Sequence, residues 1–249
     1  MIKGRVDEVQ ALYDKCDNIT KISNLLFIIN VFLSFILLFS FNGKEIIINI
    51  SLILIIIYVT LVNINDLYFS NLAENERRKS LIKESFGVKT TLKETKKYYN
   101  NNEKLSVKKF GLNCYESVWF TKNVVDKMLP FSIFKICVLA IIYIVLMINL
   151  ENLNVLLVIT QTLFSSEVIF SFIKLCYYKF QLEKINSEFE KIFFVSGANN
   201  ENRDVLILDA VMDYECLKSY CKISISSKIF FNNNEKWSKE WKKLLKKIN

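Results

Sequence analysis

The amino-acid sequence contains two pairs of long apolar segments, and each pair is closed by a very short loop. Residues 25–41 and 46–64 hold no charged residue, and residues 131–150 and 153–173 hold one charged residue each. A helix of about 20 apolar residues matches the roughly 30 Å hydrocarbon core of a bilayer. Backbone inside lipid must also satisfy its own hydrogen bonds, which a helix does. The segments therefore predict an all-α membrane protein with two transmembrane helical hairpins, or four spans.

This layout divides the chain into five predicted parts. They are an N-terminal cytoplasmic helix at 1–23, the first hairpin at 24–64, a cytoplasmic helical region at 65–130, the second hairpin at 131–176 and cytoplasmic C-terminal helices at 177–249. The fourth span is expected to continue into the cytoplasm as a stalk. Pro130, the only proline, is expected in the first helical turn of the third span, where its missing N–H costs nothing.

The lysine and arginine residues predict the orientation. Four precede the first span, 13 lie between residues 65 and 129, and 14 follow residue 173, whereas the two short loops contain only Lys44. Because basic residues stay on the cytoplasmic side, both termini and the central region are expected there. The formal net charge of +8 is then cytoplasmic charge, and an ordinary topology signal explains it as well as an anionic ligand does.

The composition argues against most enzyme classes. The chain has no histidine, and its six cysteines show no Cys-x-x-Cys spacing. Hydrolases that need a histidine base are therefore excluded, and a zinc site would need several scattered thiols. We expect no enzyme activity, no metal site, no bound cofactor, and no binding of DNA or RNA.

Two ionisable residues lie inside the second hairpin. Lys135 precedes Glu151 in the loop by 16 residues, and Glu167 follows it by 16 residues. In an antiparallel hairpin these positions have matched depth, and pairing relieves a cost of roughly 2.5–3.5 kcal/mol for a charge at mid-membrane. The alternative is that Lys135 extends to the headgroups and Glu167 faces a neighbouring helix.

The fourth span also carries a polar stripe. It consists of Asn154, Thr160, Gln161, Ser165, Glu167 and Ser171. Polar side chains in lipid either bond to neighbouring helices or line water. Packing between helices explains the stripe, and so does a water path, for which Gln161, Ser165, Glu167 and Lys135 are the candidate pore or gate residues. Because four spans enclose little space, a pore is expected to require a homo-oligomer.

The C-terminal segment is strongly amphipathic. Trp237, Trp241 and Leu245 lie on one face of a predicted helix, and lysines fill the other face. That pattern is typical of a helix that lies on an anionic membrane surface. It is equally compatible with a helix that packs on the cytoplasmic region.

Several short stretches of the sequence carry a family resemblance. They are KESF at 83–86, YY at 98–99, CYESVWF at 114–120, KML at 127–129, DYECLK at 213–218, ISISSKIF at 223–230, NN at 233–234 and WSKEW at 237–241. These stretches resemble the SMODS-associated four-transmembrane effectors. Together with the span layout, the resemblance covers most of residues 70–245. One departure is Gly87, which stands where the family has an aspartate.

The resemblance implies a pore-forming effector of bacterial anti-phage defence in the inner membrane. A partner cyclic-nucleotide synthase would supply a cyclic oligonucleotide, and the effector would bind it and permeabilise the membrane. Arginine suits phosphate and aromatic rings stack on bases. The candidate ligand-binding residues are Arg77, Arg78, Lys79, Tyr115, Trp119 and Arg203, although a solvated basic face is the plainer explanation for the charges. The other function classes are a membrane scaffold that forms no pore and, less favoured, a transporter or lipid-modifying enzyme.

Overall fold

The computed structural model describes residues 6–36, 43–96, 98–149, 167–195 and 200–248. Within these ranges the chain is almost entirely helical, so the predicted all-α character is confirmed. The loop of the second hairpin and most of the predicted fourth span, with Gln161 and Ser165, lie outside the described residues.

Seven α-helices are described. They are α1 (Gln10–Ile36), α2 (Lys44–Ile64), α3 (Ser70–Phe86), α4 (Val107–Asn149), α5 (Glu167–Glu190), α6 (Asn200–Cys221) and α7 (Ser227–Ile248). A π-helical turn at Asn65–Phe69 joins α2 to α3, and a second at Lys191–Val195 follows α5. Two-residue strands, β1 (Val6–Asp7) and β2 (Thr95–Lys96), pair antiparallel, with Asp7 opposite Thr95.

Among the described residues, three helical stretches are long and apolar enough to cross a membrane: Gln10–Leu33, Lys44–Phe86 and Val107–Val145. They coincide with the first three predicted spans. Two boundaries differ from the prediction. Helix α1 runs from Gln10 to Ile36 without a break between the N-terminal helix and the first span. Pro130 lies inside α4 rather than at its first turn. One proline removes a single backbone hydrogen bond, and helix α4 continues past it.

The chain forms two compact units. The first, here called the core unit, contains Met1–Gln10, Ala73–Ser132 and Ile173–Asn249; the second, here called the apolar unit, contains Ala11–Leu72 and Ile133–Phe172. In the apolar unit large hydrophobic side chains are exposed, among them Phe32, Ile56 and Phe134. An exposed apolar surface of this kind is expected of helices surrounded by lipid rather than water.

The core unit has a continuous hydrophobic interior. Helices α3 to α7 all contribute to it, through buried residues such as Leu81, Val118, Leu182, Tyr214 and Trp241. Helices α4 and α6 approach closely at Gly111, where a Cβ atom would lie 2.6 Å from Cγ2 of Ile207. Glycine is therefore required for this contact, and the core unit is densely packed there.

Candidate functional site

The first predicted ligand-binding residue, Arg77, belongs to a buried ion pair. Its Nη2 atom lies 3.2 Å from Oδ1 and 3.1 Å from Oδ2 of Asp7, and the side chains are only 11% and 9% exposed. The guanidinium also lies over the ring of Tyr98, 4.2 Å from its centroid. Arg77 thus attaches strand β1 and the Tyr98 segment to helix α3. A ligand phosphate would have to displace Asp7 to reach it.

The next two predicted ligand-binding residues, Arg78 and Lys79, are more exposed than Arg77. Arg78 is exposed, and its guanidinium donates to Oδ1 of Asn75 at 3.2 Å. Lys79 is 39% exposed and pairs with Glu76 at 3.0 Å. Glu76 in turn accepts a hydrogen bond from the Thr91 hydroxyl. Of Arg77, Arg78 and Lys79, Arg78 is therefore the most accessible to an anion.

The predicted role of Tyr115 in stacking a base needs correction. Tyr115 is fully buried, and its ring stacks on Phe189 at 5.4 Å and on Phe193 at 5.9 Å, measured between centroids. Trp119 is partly buried against the same core and packs against Trp241. Because the Tyr115 side chain has no exposed surface and packs among Phe189, Phe193 and Trp241, it is a core residue and is not accessible to a base.

Arg203 lies near this aromatic cluster. Its guanidinium is 5.3 Å from the centroid of the Phe193 ring, and the residue is partly exposed. Arg203 and Tyr115 therefore share one aromatic neighbour. Arg77, by contrast, belongs to the separate cluster with Asp7 and Tyr98. The predicted ligand-binding residues thus divide between two clusters and do not form one site.

The predicted membrane-surface helix also needs correction. In α7 the apolar residues Trp237, Trp241 and Leu245 are buried, with exposures of 4%, 0% and 8%. The Trp241 ring meets the edge of Tyr115 at 5.1 Å. The apolar face of α7 therefore packs on the core unit, which was the alternative interpretation, and it is not available to lipid. The lysines of α7 remain on the outside.

The predicted pore residues are only partly described. Gln161 and Ser165 lie outside the described residues, and Glu167 begins helix α5, but its side chain is not described. Lys135 is exposed on helix α4. The interaction between Lys135 and Glu167 thus remains a prediction.

Sequence reasoning missed a buried charge cluster around Lys218. Its Nζ atom lies 3.0 Å from Oε2 of Glu74 and 2.9 Å from Oε1 of Glu215, and only 12% of the side chain is exposed. The ammonium is 5.0 Å from the centroid of the Tyr214 ring. Burial raises the pKa of Tyr214 well above its usual value, so this phenol stays neutral. The two ends of the Lys218–Glu74 pair are 144 residues apart, and no local pattern indicates it.

A hydrogen-bond network fixes the loop before α4. The backbone N–H of Asn100 donates to Oε2 of Glu116 at 2.9 Å, and its side-chain amide donates to Oε1 at 2.6 Å. The amide of Asn113 donates to the hydroxyl of Ser85 at 3.0 Å and accepts from Asn101. Because Glu116 and Asn113 are buried, these hydrogen bonds attach the loop to the core unit.

These clusters hold helices and loops in position. Buried charges in them are paired, as burial requires. Across the part of the chain that the structure describes, no three His, Cys, Asp or Glu residues lie close enough together to hold a metal ion.

Comparison with known protein families, curated proteins and solved structures finds no match for this chain.

Proposed function

We propose that this chain is an inner-membrane effector of anti-phage defence that binds a cyclic nucleotide and permeabilises the membrane. The nucleotide and the partner synthase rest on the resemblance described above. The three apolar helices support a location in the membrane, because few of their side chains are buried by protein. Four spans with both termini in the cytoplasm complete the proposal, and a homo-oligomer would enclose the water path.

The observation that carries this proposal is the continuity of helix α4. Its first turns supply buried core residues, among them Leu112, Val118 and Val125, and its later turns carry exposed apolar residues such as Phe134 and Ile141. Helices are among the elements that carry coupling between distant sites. One uninterrupted element thus contains residues of the proposed sensing region and of the proposed membrane region.

Side-chain exposure favours three of the six proposed nucleotide-binding residues. Arg78, Lys79 and Arg203 keep exposed surface, whereas Arg77 is paired with Asp7 and Tyr115 is buried. A ligand with micromolar affinity has roughly 8 kcal/mol of binding free energy. A shift from 1:99 to 99:1 between closed and open states needs about 5.5 kcal/mol. One ligand per functional unit is therefore sufficient when it binds the open state about 10⁴-fold more tightly than the closed state.

Leakage from liposomes tests this proposal. Purified protein is reconstituted in dye-loaded vesicles, and candidate cyclic nucleotides are added. We expect dye release, and we expect Glu167→Leu to reduce it at least severalfold without weakening nucleotide binding, because a leucine removes the polar group from the proposed water path. Phe170→Leu, three residues further along α5, is the matched control and should leak like the original protein. Demonstrable nucleotide binding without any leakage would favour the scaffold function instead.

Labelling of single cysteines tests the proposed orientation. Replacing Cys137, Cys176 and Cys216 by alanine leaves only the buried Cys16, Cys114 and Cys221. Buried thiols react poorly, and burial also raises the pKa of Cys221. In that background we expect a membrane-impermeant maleimide added outside the cells to label Glu45→Cys in the first turn of α2, at the short connection between the first two predicted spans. Lys89→Cys in the central region should react only after the cells are lysed.

The protein with the three alanine substitutions and no added cysteine gives the baseline for this labelling. The proposed orientation is wrong if Lys89→Cys is labelled in intact cells and Glu45→Cys is not.

A further inference from the structure

Helix α6 has an apolar outer face as well as an apolar inner face. Its inner residues, such as Ile207, Tyr214 and Leu217, are buried in the core unit. On the opposite side, Val205, Leu208, Met212 and Cys216 form a line at i, i+3, i+7 and i+11, here called the α6 stripe. Val205 and Met212 are each 65% exposed, and Leu208 is 43% exposed.

The α6 stripe has the spacing of a helix–helix seam. Single exposed apolar residues are ordinary, but a continuous apolar line on a surface marks an interaction site. Residues at alternating steps of three and four place their side chains against a facing helix, as in a coiled coil. The charged residues beside the α6 stripe indicate which kind of surface packs against it.

Acidic residues border the α6 stripe on one side. Asp209 and Asp213 are exposed one turn apart. Within the described ranges neither carboxylate takes part in an ion pair. Two α6 helices packed stripe to stripe would bring these carboxylates together, which is unfavourable because like charges repel across an interface. A partner with basic residues is favoured instead.

The same chain supplies a basic face on α7. Because Trp237, Trp241 and Leu245 point into the core unit, Lys239, Lys243 and Lys246 lie on the outside at i, i+4 and i+7. Lys242 and Lys247 are exposed beside them. The apolar stems of lysines cover hydrophobic surface while their ammonium groups stay outside, close to acidic groups. Lys239 pairs with Glu235 of the same helix at 2.8 Å, so Lys243 and Lys246 of this lysine face supply the charge that complements the acidic border. The lysine stems complement the apolar line of the α6 stripe.

We propose that the α6 stripe of one copy docks on the lysine face of α7 in a second copy of this chain. The contact joins two different surfaces, so it repeats from copy to copy and closes into a ring where the rotation allows. This inference specifies the homo-oligomer of the proposed function but does not depend on a pore, because assembly and leakage are measured separately.

Cross-linking between two differently tagged copies tests the contact. Both copies carry Cys137→Ala and Cys176→Ala, so that Cys216 is the only exposed cysteine of the first copy. The second copy has Cys216→Ala and a new cysteine at Lys239, Lys243 or Lys246. Oxidation in membranes is expected to give a disulfide that carries both tags at one or more of these positions. A disulfide requires Cα atoms within about 7 Å.

Two controls decide the outcome. Lys184→Cys, exposed on helix α5, replaces the α7 cysteine in the matched control and should give no product. Asp209→Lys with Asp213→Lys in the first copy should lower the yield about tenfold, equivalent to roughly 1.4 kcal/mol. Lys242→Glu with Lys246→Glu should restore it in a second copy whose cysteine is at Lys239 or Lys243. The proposal is wrong if Cys216 forms no disulfide with α7 of the other copy, or if it pairs mainly with Cys216 of another copy. It is also wrong if charge reversal leaves the disulfide yield unchanged. Cross-linking without leakage would leave this contact standing and overturn only the pore.

Discussion

Trp241→Ala is expected to lower the free energy of unfolding of the core unit by about 3–5 kcal/mol. The indole has no exposed surface and contacts the rings of Tyr115 and Trp119, at centroid distances of 5.1 and 5.8 Å. Alanine would leave a large cavity between α7 and α4, and tightly packed helices close such a cavity only in part. Denaturant titration in detergent, followed by near-ultraviolet circular dichroism, measures the loss.

Two variants control this measurement. Trp241→Phe keeps most of the ring, and Nε1 of Trp241 has no hydrogen-bond partner among the described residues, so the loss should be clearly smaller than for alanine. Lys242→Ala changes the exposed neighbour and should shift stability by no more than about 0.5 kcal/mol. If α7 instead lay on lipid, Trp241→Ala would weaken membrane binding and leave the unfolding free energy unchanged.

Helix α7 shows what an amphipathic pattern can and cannot predict. The spacing of Trp237, Trp241 and Leu245 correctly predicts a helix with one buried face, because the 3.6-residue period is local information. The pattern is the same whether lipid or protein covers that face. Its actual partners include Tyr115, more than 100 positions earlier in the sequence, and no local feature of either segment indicates this contact.

The long apolar helices could be predicted from local sequence, whereas the roles of the proposed ligand-binding residues could not. Long apolar runs are enough to predict three helices that could cross a membrane, since length and hydropathy decide whether a helix matches a bilayer. The role of Arg77 was not predictable from its neighbours, because its partner Asp7 lies 70 positions away. An arginine beside a second arginine suggests a phosphate site, yet only one of the two is accessible. Pairing over long distances in sequence decides which basic residue remains free for a ligand.

Arg77→Met should destabilise the core unit by about 3–5 kcal/mol, because removing one partner of a buried ion pair leaves the other charge without its counterion. Methionine keeps the length and apolar stem of the side chain but removes the cation beside the Asp7 carboxylate and above the Tyr98 ring. Strand β1 and the Tyr98 segment should then become accessible to protease before the rest of the unit. Denaturant titration and limited proteolysis measure the two effects.

The double variant Asp7→Asn with Arg77→Met separates this structural role from the predicted ligand-binding role. If the ion pair is structural, the double variant should recover part of the lost stability, since no buried carboxylate is left without a cation. Arg78→Met, at the exposed neighbouring position, is the matched control and should leave stability within about 0.5 kcal/mol. The opposite result is that Arg77→Met unfolds like the original protein but no longer binds a cyclic nucleotide. That result would support the predicted ligand-binding role of Arg77. Because the side chains of Arg77 and Asp7 are almost fully buried together, we expect the loss of stability.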